Sequence, residues 1–110
     1  MRVPFCENAV VDIRKLTDYA LNPKNEVGKH KARVFASALN VNKKDAPILR
    51  AALLEAVKTI DAEIGKFDEY GQRYTVDFEF EWQGNRAIIR SGWIIDTSSK
   101  IPRLTTCLVL

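Results

Sequence analysis

The sequence predicts an α+β fold in which three N-terminal helices pack on a four-stranded antiparallel β-meander. Three observations carry this. Apolar residues recur at helical spacing up to Ile60, most clearly at Leu49, Leu53, Ala56, Val57 and Ile60. Tyr74, Val76, Phe78, Phe80 and Trp82 then alternate strictly with Thr75, Asp77, Glu79 and Glu81, the pattern of a half-buried strand. Turn-forming clusters at Gln83-Gly84-Asn85 and Asp96-Thr97-Ser98-Ser99-Lys100 separate the apolar runs that follow. Helices first and strands after is an α+β order, and the long strands need the helices as a cover.

Each element has a local reason. The lead-in, residues 1–11, is expected to be extended at Ala9 to Val11. Asp12 is placed to cap a first helix from Ile13 to Leu21, with Ile13, Leu16 and Ala20 on one face. Asn22-Pro23 ends it, because the residue before proline is pushed out of the α region. The second helix runs from Val27 or Gly28 to Leu39, its stripe being Ala32, Phe35, Ala36 and Leu39. Asp45 is expected to cap a third helix, with Pro47 in its first turn. The first strand is expected within Ala62 to Tyr70, broken from Tyr74 by Gly71. A two-residue turn at Gly84-Asn85 would set Phe80 opposite Ile89, Val76 opposite Trp93 and Glu79 opposite Arg90. Trp82 and Trp93 then share a face. The last strand covers Pro102 to Leu110.

Composition sets bounds. A chain of 110 residues with 46% hydrophobic and 28% charged residues can bury a core and is expected to form one domain, residues 1–110. No apolar run approaches the ~20 residues that span a bilayer. Pro4, Glu7 and Asn8 interrupt what would be the apolar part of a signal peptide, so a cytoplasmic location is expected. Cys6 and Cys107 are expected to be reduced and unpaired, and two Cys with one His lack zinc spacing; neither metal nor cofactor is expected. A net charge of +3 is compatible with RNA but does not require it.

The densest basic cluster is Lys29, His30, Lys31 and Arg33, where the second helix begins. Cations there oppose the helix macrodipole. Residues that break a local rule concentrate at functional sites, and a bound phosphate would gain from the side chains and from the helix amides. The competing reading is a solvated helix face. Asp77, Glu79 and Glu81 lie ~6–7 Å apart along one strand face. Pairing with Arg86 and Arg90 accounts for them without chemistry. Ser91 and Thr106 are hydroxyls within apolar alternation, Thr106 between Leu104 and Leu108, and buried hydroxyls need partners or a cleft. No phosphate loop, dinucleotide glycine motif, nucleophile elbow or zinc-protease motif is present.

The blocks KLTDYALNPKNEVGKHKARVF, IIRSGWIID and IPRLTTC, in that order, resemble an uncharacterised bacterial domain family. Its members occur as short stand-alone proteins and as terminal modules of large secreted toxins. The shared pattern falls on Gly28, Lys29, Lys31, Ala32, Arg33 and Phe35, on Arg90, Ser91, Trp93 and Asp96, and on Pro102, Arg103 and Thr106. His30 falls at a variable position. The order of elements is also similar to that of the RelE, barnase and colicin-nuclease toxins. This resemblance implies a toxin of a toxin–antitoxin or polymorphic toxin system, acting as a metal-independent endoribonuclease. Lys29, Lys31, Ser91 and Thr106 would be catalytic. Arg33, His30, Arg90, Arg103 and Trp93 would bind substrate. The implied partners are RNA and a small cognate antitoxin or immunity protein, with a homodimer open. The other reading is a non-catalytic module that binds RNA or a partner protein. Convergence of cations and hydroxyls in one cleft separates the first from the second.

Overall fold

The computed structural model describes all residues, 1–110. Its sheet consists of β1 (Glu63–Asp68), β2 (Gly71–Trp82), β3 (Asn85–Asp96) and β4 (Arg103–Val109), antiparallel throughout and ordered as in the sequence. Two long helices cover one face: α1 (Lys29–Leu39) lies against β3 and β4, and α2 (Ala46–Thr59) against β2. The N-terminal segment runs along the outside of β4. Val10 donates to the Pro102 carbonyl at 2.8 Å and accepts from Leu104 N–H at 3.0 Å, so part of this sheet edge is paired.

The expected first helix, Ile13 to Leu21, forms as a short one: residues 14–20 are helical, and Leu16–Ala20 is a wide π-turn. Leu21 N–H bonds the Leu16 carbonyl at 2.8 Å, a five-residue reach characteristic of a π-turn. At its N-terminal end the Asp12 carboxylate accepts from the Arg14 N–H at 3.0 Å, the bond expected of a cap, and also clamps the Arg14 guanidinium. The wide turn buries Leu16, Ala20 and Leu21 together and leaves Ile13, expected on the apolar face, exposed.

Asn25 caps α1. Its Oδ1 accepts from Val27 and Gly28 N–H at 2.9 and 2.8 Å, and its carbonyl accepts from Lys29 N–H at 2.9 Å. The helix stops at Asn40, which adopts the left-handed conformation (φ 54°). Asp45 does not cap α2. Its carboxylate reaches back to Asn42 N–H at 2.9 Å, closing the short turn Lys43–Asp45. Pro47 occupies the first turn of α2, where its missing N–H costs nothing.

The β2–β3 hairpin turns at Gln83 (φ 51°) and Gly84 (φ 82°), with Trp82 opposite Asn85. Two consecutive positive φ values match the right-handed strand twist, and glycine reaches that region without a Cβ clash. The register is therefore shifted by two residues from the expected one. Phe78 faces Ile89, Val76 faces Ser91, Tyr74 faces Trp93, and Asp77 faces Arg90. An even shift preserves every facing, so Trp82 and Trp93 do share the core side.

The core joins Phe35 and Leu39 of α1, Leu49, Leu53 and Val57 of α2, and Val76, Ile89, Trp93 and Leu104 of the sheet. Each such side chain stabilises the fold by about 1.5–3 kcal/mol through burial. On the other face Arg90 grips Asp77 with two hydrogen bonds of 2.9 and 2.8 Å, and Arg86 bridges Glu79 and Glu81. The acidic strand face is thus paired across strands as expected, with Asp77 taking the place of Glu79 opposite Arg90.

Asparagine enters the left-handed region more readily than glutamine and is favoured at the first position of this turn. Gln83→Asn is expected to raise stability by about 0.5–1 kcal/mol in urea titration. An unchanged or lowered midpoint would show that the Gln83–Gly84 turn is not the one formed.

Candidate functional site at the β4 edge

The basic cluster divides between two sides of α1. Lys29, His30 and Arg33 line a shallow groove of about 520 Å³ with Pro23 and Asn42. Lys29 pairs with Glu26 at 3.4 Å, and Arg33 Nη2 stands 2.9 Å from His30 Nδ1. Of the amides at this helix start, Asn25 takes those of Val27, Gly28 and Lys29. Lys31 points the other way. Its Nζ lies over the Tyr19 ring, 5.2 Å from the centroid.

Tyr19 is brought there by close packing. A Cβ on Gly28 would overlap the Tyr19 carbonyl and stand 3.0 Å from ring atom Cδ1, so only glycine lets the start of α1 lie against the Leu16–Ala20 turn. Asn22 and Asn25 side-chain amides both donate to the Asp18 carbonyl, at 3.2 and 3.0 Å, tying the Asn22-Pro23 loop to that turn.

The third member comes from β4. Ser91 pairs with Cys107 and Gly92 with Thr106, but Trp93 pairs with Leu104, so Thr105 is an inserted residue. This bulge breaks the expected alternation. Leu104, Cys107 and Val109 are buried, in place of the expected run Leu104, Thr106 and Leu108. A Cβ on Gly92 would be 3.0 Å from Thr105 Oγ1 and 3.3 Å from Thr106 Cγ2, so the missing side chain gives the two threonines room. Thr106 Oγ1 is buried and has no hydrogen-bond partner.

Lys31, Tyr19 and Thr106 therefore converge. The phenol is held below its usual range, first by the Lys31 ammonium and then by the Thr106 hydroxyl, against the opposing effect of burial. As Thr106 Oγ1 makes no formed hydrogen bond, it acts as a nearby dipole. Tyr19 and Thr105 open onto a polar cavity of about 490 Å³, lined also by Asp12, Arg14, Lys15, Asp18 and Asn25. Arg14 occupies Asp12 and holds its carboxyl down to about 2. Lys15 is the cation on this wall with no ion-pair partner.

The remaining expected residues lie elsewhere. Ser91 is fully buried; its hydroxyl donates to the Val76 carbonyl at 2.7 Å and accepts from Trp93 Nε1 at 2.9 Å. Both are core residues with satisfied polar atoms, which leaves no surface for substrate. Arg90 is committed to Asp77 on the opposite sheet face, and Arg103 to Asp96 at 2.6 Å. Of the nine expected residues, Lys31 and Thr106 meet. Lys29, His30 and Arg33 form a separate groove. Sequence reasoning missed Tyr19, Arg14, Lys15 and Thr105. No group of three His, Cys, Asp or Glu side chains is placed to hold a metal ion, and no helix is long and apolar enough to cross a membrane.

A family profile matches residues 2–110. The chain belongs to DUF6883, a domain family of unknown function. The expected resemblance to an uncharacterised domain family is met at that level. No curated protein matches. A solved structure described as a contact-dependent growth inhibition toxin–immunity protein complex from Klebsiella pneumoniae 342 contains a similar chain. The two superpose with a TM-score of 0.69 at 17% identity, covering 94% of this chain and 95% of that one. At that identity the likeness of this DUF6883 chain is one of fold.

Cys6 and Cys107 are both buried and unbridged. Burial pushes the Cys107 thiol up to about 12. The folded chain then keeps a proton that the unfolded thiol loses near pH ~8.5, so stability falls as pH rises from there toward 12. In the native protein neither thiol should react with an aromatic disulfide reagent at mildly alkaline pH, and both should react once urea is added. Rapid native labelling of Cys107 would show that the β4 core side is open.

Serine at position 91 is expected to be structural. Ser91→Ala leaves the Trp93 N–H without its acceptor and should cost about 1–3 kcal/mol in urea titration. A neutral substitution would mean that the Trp93 indole finds another partner.

Proposed function

We propose that this DUF6883 domain is the toxin half of a toxin–immunity pair and cleaves RNA without a resident metal, at the Lys31–Tyr19–Thr106 site. The observation that carries the reading is the convergence of a cation, an acidified phenol and an unpartnered buried hydroxyl beside a polar cavity. Phosphodiester cleavage by an adjacent 2′-hydroxyl asks for little more. It needs cations on the phosphate as charge builds, a fixed hydrogen-bond donor, and a group to handle a proton. Lys31 and Lys15 supply the charge, Tyr19 supplies a donor on the cavity wall, and the buried Thr106 hydroxyl acts on that phenol from behind. Lys29 and Arg33, on the far side of α1, would hold a flanking phosphate of a longer strand. The described toxin–immunity complex supports the context, since its similar chain matches nearly end to end. A toxin of this kind would have an immunity protein of its own as cognate partner.

The other reading makes the domain the immunity or RNA-binding half. A binding surface has no use for a buried hydroxyl left unpaired, at a cost of about 1–3 kcal/mol, and that favours the catalytic reading.

The test uses Thr106→Val, which keeps the shape and removes the hydroxyl. Stability should hold or rise, RNA affinity should hold, and cleavage of total bacterial RNA should fall by about 10²–10³. Lys29→Ala with Arg33→Ala should leave the cleavage step intact but flatten the salt dependence of binding by ~0.7 in log–log slope for each phosphate these side chains neutralise in the wild type. If the wild type, freed of any partner, leaves RNA whole and growth unaffected, the toxin reading is wrong.

A further inference from the structure

We infer that Tyr19 is the catalytic acid of this site, donating its phenolic proton to the leaving 5′-oxygen while Lys31 holds the scissile phosphate. This inference rests on the proposed function and extends it to a residue for which the sequence offered no role.

The geometry singles out Tyr19 from the other tyrosines. Tyr74 is buried in the core, and Tyr70 is exposed in the turn between β1 and β2. Only Tyr19 is half-buried, faces a cation and opens onto a polar cavity. Its ring is fixed from three sides. Gly28 lies against its backbone and ring edge, Lys31 lies over its face, and Thr106 stands near its hydroxyl. A side chain held this way loses little freedom on meeting a substrate.

The charges around it decide the direction of proton transfer. Lys31 makes the phenol a stronger acid than free tyrosine, and the Thr106 hydroxyl acts in the same sense. The groups further along the cavity are Lys15, Asp18 and the paired Asp12 and Arg14; the buried thiol of Cys107 lies behind and stays protonated. A phenol made a stronger acid by a neighbouring cation, and facing the cavity, is suited to donate a proton.

The step balances as follows. The 2′-oxygen attacks phosphorus and its proton passes to water. The bond from phosphorus to the 5′-oxygen breaks, and that oxygen takes the Tyr19 proton. The products are a 2′,3′-cyclic phosphate and a 5′-hydroxyl. Water then returns a proton to the phenolate.

The test compares leaving groups. An oligoribonucleotide carrying the site that wild type cuts in total bacterial RNA is made twice, once with sulfur in place of the bridging 5′-oxygen. Sulfur leaves readily without a proton. Tyr19→Phe should slow the oxygen substrate by about 10²–10⁴ and recover most of that loss on the sulfur substrate. Lys31→Ala, which also strips charge from the phosphate, should stay slow on both. Ultraviolet titration gives a second readout: Lys31→Ala should move one tyrosine transition to higher pH, and that transition should be absent in Tyr19→Phe. Thermal melting checks that Tyr19→Phe is folded. If Tyr19→Phe cuts the oxygen substrate as fast as wild type, or sulfur restores nothing, the inference is overturned while the proposed function stands. An unmoved tyrosine transition in Lys31→Ala overturns it too. If wild type cuts neither substrate, the proposed function fails and the inference with it.

Discussion

Gly28 is the position on which the site depends. A side chain there would collide with the Tyr19 carbonyl, so the start of α1 and the Leu16–Ala20 turn could not touch. Everything at the β4 edge follows from that contact. It sets the angle at which α1 enters, and so puts Lys31 over the Tyr19 ring and leaves Lys29 and Arg33 on the far side. It also explains why α1 is capped by Asn25 at a distance. The cap holds the Val27 and Gly28 amides and lets the chain pass Tyr19 before the regular helix begins. The basic cluster then costs its helix less than its position suggests, because the cap also takes the Lys29 amide that opens it.

The bulge at Thr105 is the matching device on the sheet. Without the inserted residue, strict alternation would carry Thr106 to the core side and Cys107 outward. With it, Cys107 joins the core, and Thr105 and Thr106 gather over the bare backbone of Gly92. Two glycines thus make room on facing elements, Gly28 on the helix side and Gly92 in the sheet, and the three side chains meet at the resulting edge.

What could be read from the residues follows from the range of the forces involved. The β2 alternation and the α2 spacing are local patterns with strong burial behind them, and both elements form where those patterns lie. The hairpin facing was legible because parity is what burial selects. The register was not, because Gln83-Gly84 and Gly84-Asn85 are both plausible turn pairs and differ by an even shift. The first helix forms within the expected bounds, but its widening to a π-turn, with Leu21 bonded to Leu16, is not reported by apolar spacing. Of the candidate site, Lys31 was singled out by its place at a helix start, and Thr106 by an alternation that the Thr105 bulge breaks. Tyr19 was not, since a tyrosine within an amphipathic stretch reads as packing. Ser91 broke the pattern too, and its reason turned out to be the Trp93 N–H.

Ser91 and Thr106 show why a polar residue in apolar alternation is only half an argument. Both are hydroxyls on adjoining strands; Ser91 interrupts a buried run, and Thr106 is set beside one by the bulge. Ser91 is satisfied twice, donating to the Val76 carbonyl and accepting from the Trp93 indole. Thr106 is satisfied by nothing. A valine would fill the same space without the desolvation cost of about 1–3 kcal/mol. The Trp82 N–H is unpartnered as well, but the ring of Trp82 packs on the core, so the cost comes with a large apolar contact. The Thr106 hydroxyl brings no such compensation. What it has is its neighbours: an ammonium, a phenol and an open polar cavity. Its oxygen is buried, so among these groups Tyr19 is the one that carries the arrangement to the cavity wall.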